Sequence, residues 1–80
     1  MQIPIIQGQF NAKDAADIIS KFIEIKIKYH EGKIKTDSSE EDIKYRETKI
    51  KTLQNYMKET RQFLLLKENN IVMEAIINIS

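Results

Sequence analysis

The stretch 11–31, NAKDAADIISKFIEIKIKYHE, constrains this chain more than any other. Set at about 100° per residue, it gathers Lys13, Asp14, Asp17, Ser20, Lys21, Glu24, Lys28 and Glu31 on one arc. The opposite arc carries Ala15, Ala16, Ile18, Ile19, Phe22, Ile23, Ile25, Ile27 and Tyr29, with Lys26 and His30 as its polar intruders. That apolar arc covers roughly 200°, against the ~100° stripe an ordinary surface helix buries. One neighbouring helix cannot cover it, so the chain needs apolar partners on two sides, from its own fold or from another copy.

A competing reading exists for part of this stretch. Ile23, Ile25, Ile27 and Tyr29 alternate with Glu24, Lys26 and Lys28 as a strand would. The period of two explains only those seven positions, whereas the helical period sorts the whole stretch. It also places Asp17 with Lys21 and Glu24 with Lys28 at the favourable i, i+4 orientation. Asn11 is a good N-cap with Asp14 in the capping-box position, and Gly32 is a natural C′ residue to end the helix.

Downstream, Ser38-x-x-Glu41 forms a second capping box, and Glu40 and Asp42 add the first-turn acid that the helix dipole favours. A second helix is expected over 39–68, free of internal Pro and Gly. Ile43, Ile50, Met57 and Leu64 recur at seven-residue spacing, with Arg46, Leu53, Thr60 and Lys67 at the companion positions. This broken heptad suits an antiparallel helix partner better than a long free coiled coil. Tyr45, Thr52, Tyr56 and Phe63 form a second stripe beside it, so this helix also has more apolar surface than one partner would use.

The ends read as strands. Residues 3–9 hold Ile3, Ile5 and Ile6 among glutamines. Pro4 confines the strand to an edge or starts it just after, and Gly8 marks a bulge or a close backbone approach. Asn69 and Asn70 are turn formers, and 71–79 is apolar and β-branched enough to read as a terminal strand that could pair with the first.

The expected fold is therefore α+β and mainly α: a single domain over 1–80, built on an antiparallel helix hairpin with short terminal strands in the order β-α-α-β. Chains near this size draw only ~3–5 kcal/mol from their own core and usually add a disulfide, a metal or a second subunit. Cysteine is absent and His30 is the one histidine, so association remains, and a homodimer is expected. The absence of cysteine, of a long apolar run and of a charged-then-apolar leader points to a cytoplasmic protein without a membrane span.

Chemistry is hard to find. Catalysis needs a base beside a nucleophile and a group to orient the base. His30 has Lys26, Lys33 or Ile34 one turn away and no carboxylate, so it reads as a partly buried or capping residue rather than a catalyst. Glu40, Glu41 and Asp42 read as a solvated cap rather than a cation site, and two glycines make no phosphate loop. No cofactor, metal or small-molecule substrate is expected. Lys26, near the centre of the apolar arc, has three possible fates: its head reaches solvent at a rim, it pairs with Glu47 or Glu59, or that part of the arc is not buried.

The leading functional expectation is a non-catalytic interaction or scaffold module, using Ile19, Phe22, Ile23, Met57, Phe63 and Leu64 to hold its own copy, a partner helix or both. The alternative draws on topology. Strand, helix, helix is also the order of ribbon-helix-helix regulators, which pair strands across a dimer and read the major groove with strand side chains. Gln7 and Gln9 are chemically able to read adenine, and Lys26, Lys33 and Lys35 form a basic end. The long first helix, Pro4 in the strand and the lack of flanking Arg or Lys depart from that pattern. The net charge of +1 gives no global pull toward nucleic acid.

Overall fold

The computed structural model describes residues 1–67 and 70–80. Among them the chain runs β1 (Gln2–Phe10), α1 (Ala12–Lys33), α2 (Glu40–Leu65) and β2 (Ile71–Asn78), with β1 and β2 paired antiparallel. The expected β-α-α-β order is the observed one. Glu68 and Asn69, where the sequence places the end of the second helix and the start of a turn, lie outside the described residues.

The helix ends obey local chemistry, with two shifts from expectation. Asn11 caps α1 by accepting from the Asp14 backbone N–H at 2.8 Å, and its amide donates to the Asp14 carboxylate at 3.1 Å. Gly32 does not end α1. The helix continues through it to Lys33 and closes with the Ile34 N–H donating to the Glu31 carbonyl at 3.1 Å. Ile34 is half-buried and extended, and anchoring its side chain ends the helix without the left-handed residue that a glycine C′ supplies.

The cap of α2 is Ser39, not Ser38: its hydroxyl accepts from the Asp42 N–H at 3.1 Å. Ser38 is committed one residue earlier, in a turn whose hydroxyl accepts from the Lys35 N–H at 2.9 Å. Two adjacent serines offer the same cap, and the turn takes the first. At its far end α2 stops at Leu65 rather than at 68, with Leu66 and Lys67 bonded back to Phe63 and Leu64 in a tightened last turn.

The hairpin seam follows the heptad. Ile43, Arg46, Ile50, Leu53, Met57, Thr60 and Leu64 are the buried or half-buried positions of α2. They meet Ala12, Ala15, Ala16, Ile19, Ile23, Ile27 and His30 of α1. Three apolar residues, Ala15, Leu53 and Leu64, count as buried among the described residues, and none of the large side chains is fully enclosed.

In the ribbon, Ile3 pairs with Ile77, Ile6 with Ala75, Gly8 with Met73 and Phe10 with Ile71, so one face is apolar throughout. The register slips between Pro4 and Ile6, leaving Ile5 as the extra residue of a bulge. The bulge therefore follows Pro4, which cannot donate to the ladder, and is not at Gly8. A Cβ built at Gly8 would meet nothing within 4 Å, so no close approach requires the glycine there; what it supplies is a backbone φ of +141°, which side-chain-bearing residues rarely adopt. The ribbon meets α1 at only a few positions and comes near α2 where Phe63 lines a cleft with Ile71 and Val72.

The result is a layer rather than a globule. Its extents are 48 × 33 × 13 Å, and its radius of gyration of 15.4 Å exceeds the roughly 12 Å of a compact chain this long. It exposes 6691 Å², whereas a compact monomer of 9.4 kDa exposes about 5,000 Å². Domains are normally two packed layers around a core, and this protomer is one. No described helix is long and apolar enough to cross a membrane.

Candidate functional site

With the seam residues turned inward, each helix keeps an outer stripe. On α1 it is half-buried Ile18 with exposed Phe22, Ile25 and Tyr29, spaced 4, 3 and 4 residues apart and therefore in line. On α2 it is Tyr45, Lys49, Thr52, Tyr56 and Phe63, with the same rhythm. The five aromatic rings and Ile25 in these stripes are between 42% and 68% exposed.

Both stripes lie on the same face of the hairpin. The Arg46 guanidinium sits 5.8 Å from the centre of the Tyr29 ring on α1 and 5.3 Å from that of Tyr45 on α2, so the two tyrosines flank it from the two helices. Lys33 lies 5.5 Å from the Tyr29 ring and Lys49 5.5 Å from that of Tyr45. At the other end Lys67 covers Phe63 at 4.6 Å. Each such contact contributes roughly 0.5–1 kcal/mol at an exposed site, and the rings remain open to solvent beside their cations.

Beneath the tyrosines, His30 is buried and its ring meets Tyr29 edge-on. Its Nδ1 lies 3.0 Å from Arg46 Nη1. A guanidinium only donates, so Nδ1 accepts and the neutral ring carries its proton on Nε2. Nε2 is buried with no partner among the described residues. Burial lowers the His30 pKa, and the charges of Arg46, Lys26 and Lys49 lower it further. The imidazole thus joins the end of α1 to the start of α2, and its one accepting nitrogen is already used.

This coupling carries a pH prediction. The folded chain holds His30 below its ordinary value of 6.5, so the unfolded chain binds the proton more readily. The neutral-His contribution to stability is complete above about pH 6.5 and is lost as pH falls through the lowered folded value. The thermal midpoint should drop between pH 7 and pH 5, and His30→Gln, which does not titrate, should flatten that drop. An equal slope in both proteins would show that other groups control it.

The structure divides the six residues assigned to association from sequence. Phe22 and Phe63 stand exposed on the free face. Ile19, Ile23 and Met57 are half-buried and Leu64 is buried, all in the hairpin seam. Lys26 is exposed beside half-buried Ile23 and Ile27 and buried His30, so its charge stands in solvent at the edge of the seam. Sequence reasoning missed Arg46 and Lys49 as parts of the face. The available signal was position, since Lys49 falls one turn from Tyr45 and two turns from Tyr56 in the outer stripe.

The residues considered for nucleic acid are not brought together. Gln7 and Gln9 are exposed on one face of the ribbon, but Glu74 stands opposite Gln7. Lys33 lies at the far end of α1 from Gln9, about 30 Å along the helix, with Lys26 and Lys35 exposed toward the same end. The two strands of the ribbon also belong to one chain, unlike the cross-dimer ribbon of the regulators considered above. Among the described residues no three His, Cys, Asp or Glu side chains come together as a metal site. The chain matches no family model, no curated protein and no solved structure.

Proposed function

We propose that this chain is a non-catalytic cytoplasmic interaction module, whose working surface is the apolar face formed jointly by α1 and α2. The observation that supports this most directly is geometric. A 13 Å layer exposes Phe22, Ile25, Tyr29, Tyr45, Tyr56 and Phe63 on one side of a hairpin whose own seam is already filled. Contiguous apolar faces of this kind mark protein association sites. The surplus of roughly 1,700 Å² over a compact monomer is about twice what one partner contributes to a standard interface.

The test is Phe22→Asp. Phe22 contributes to the free face and not to the seam, so the substitution should lower the assembled mass in sedimentation or, where the chain is monomeric, raise its solubility. Assembly and solubility both unchanged would overturn the proposal.

A further inference from the structure

We infer that a second copy of this chain covers the free face, related to the first by a two-fold axis that runs across the helices between the two layers. This rests on the association reading above and specifies its partner and register. Under that symmetry α1 lies antiparallel on its copy and α2 on its own, making a four-helix, two-layer core.

The charge pattern of the stripes carries the inference. A two-fold interface must be self-complementary, so that residue i meets j and j meets i. Turned about a centre at Gln54, the α2 stripe places Tyr45 on Phe63, Thr52 on Tyr56 and Lys49 on Glu59 of the opposite copy. Aromatic meets aromatic or apolar, and each charge meets its opposite. Thr52 fits because its hydroxyl already donates to the Thr48 carbonyl at 3.0 Å, leaving its methyl for the contact.

The α1 stripe has its apolar pairs about a centre between Ile23 and Glu24, where Phe22 meets Ile25 and Ile18 meets Tyr29; at its rims Asp14 meets Lys33 but Lys21 meets Lys26, so the charge complementarity is carried by α2 and not by α1. One axis serves both helices only if the two centres lie at the same height. The His30–Arg46 contact at one end of the seam and the closeness of Ala12 to Leu64 at the other set that height. Counting the same number of residues from His30 and from Arg46 along each helix puts the α1 centre beside Thr52 and Leu53, about 2 Å from the α2 centre. Two independently read centres thus coincide. The protomer's surplus area, about twice the ~800 Å² each partner needs in a stable complex, is sufficient for such a dimer.

Lys49 and Glu59 provide the experiment. They are ten residues apart on one helix, about 15 Å, and cannot pair within a chain. Both are exposed, so reversing either leaves the hairpin seam intact. The wild-type chain should sediment at twice 9.4 kDa. Lys49→Glu alone and Glu59→Lys alone should each weaken the dimer roughly tenfold to a hundredfold, since each puts two like-charged pairs into it. Mixing the two variants should restore wild-type affinity, because every pair in the heterodimer is again opposite in sign. Far-UV circular dichroism of the same samples reports whether helix content follows mass.

A folded wild-type monomer would overturn this inference while leaving a partner-protein form of the association reading standing. A dimer indifferent to both reversals, or reversals that mixing does not rescue, would overturn the register and leave self-association in place.

Discussion

Leu53→Ala should abolish cooperative folding at 25 °C. Leu53 is one of three buried apolar residues among those described, and it stands at the middle of the α2 seam. Truncating a buried leucine costs about 2–5 kcal/mol, the spread reflecting how far the surroundings collapse into the space. A chain of this size draws only ~3–5 kcal/mol of net stability from its core. The loss is therefore comparable with the whole margin. Thermal melting by circular dichroism should lose its sigmoid transition at micromolar concentration, and a transition within a few degrees of wild type would show that stability lies elsewhere.

Gly8→Ala and Gly32→Ala should change stability in opposite directions. At Gly8 there is room for a methyl group, since nothing lies within 4 Å, but φ is +141°, which side-chain-bearing residues rarely adopt. The cost is conformational and of order 1–3 kcal/mol. Gly32 lies in the last turn of α1 with ordinary helical backbone and equally open space. Alanine there should stabilise by about 0.5–1 kcal/mol, through helix propensity and a less flexible unfolded chain. Denaturant titration of the two variants at one protein concentration measures both signs. Equal destabilisation would mean that Gly32 has a packing role the open space does not suggest.

Much of the fold is legible in the residues because its signals are local and redundant. Asn11 and Asp14 mark the start of α1, and the serine pair marks the start of α2 to within one position. The heptad through Ile43, Ile50, Met57 and Leu64 identifies the face that α1 covers. The errors were also local. Two serines compete for one cap, and Gly32 reads as a terminator although the helix runs through it and closes at half-buried Ile34. Gly8 reads as a bulge or a close approach and is neither; the bulge belongs to Ile5, because Ile3 and Ile6 share a face only if one residue is extra.

The candidate face was less legible. Its aromatic residues were visible as a stripe of surplus hydrophobicity, and Phe22 and Phe63 were assigned to association from that alone. Ile19, Ile23, Met57 and Leu64 were assigned with them because the period that identifies an apolar arc does not divide it between two neighbours. Arg46 looked like an interruption of the heptad. In the fold it is the cation between Tyr29 and Tyr45, sixteen and more residues apart in sequence.

By itself, then, the sequence determined the elements, their order and the presence of more apolar surface than one hairpin can use, because caps and periodicities act within a few residues. The tertiary structure decided which half of each arc is enclosed and that the two remaining halves face the same way. That choice depends on the rotation and height at which two long helices dock, fixed here by small residues at one end of the seam and by His30 against Arg46 at the other. No contact within a single helix encodes it.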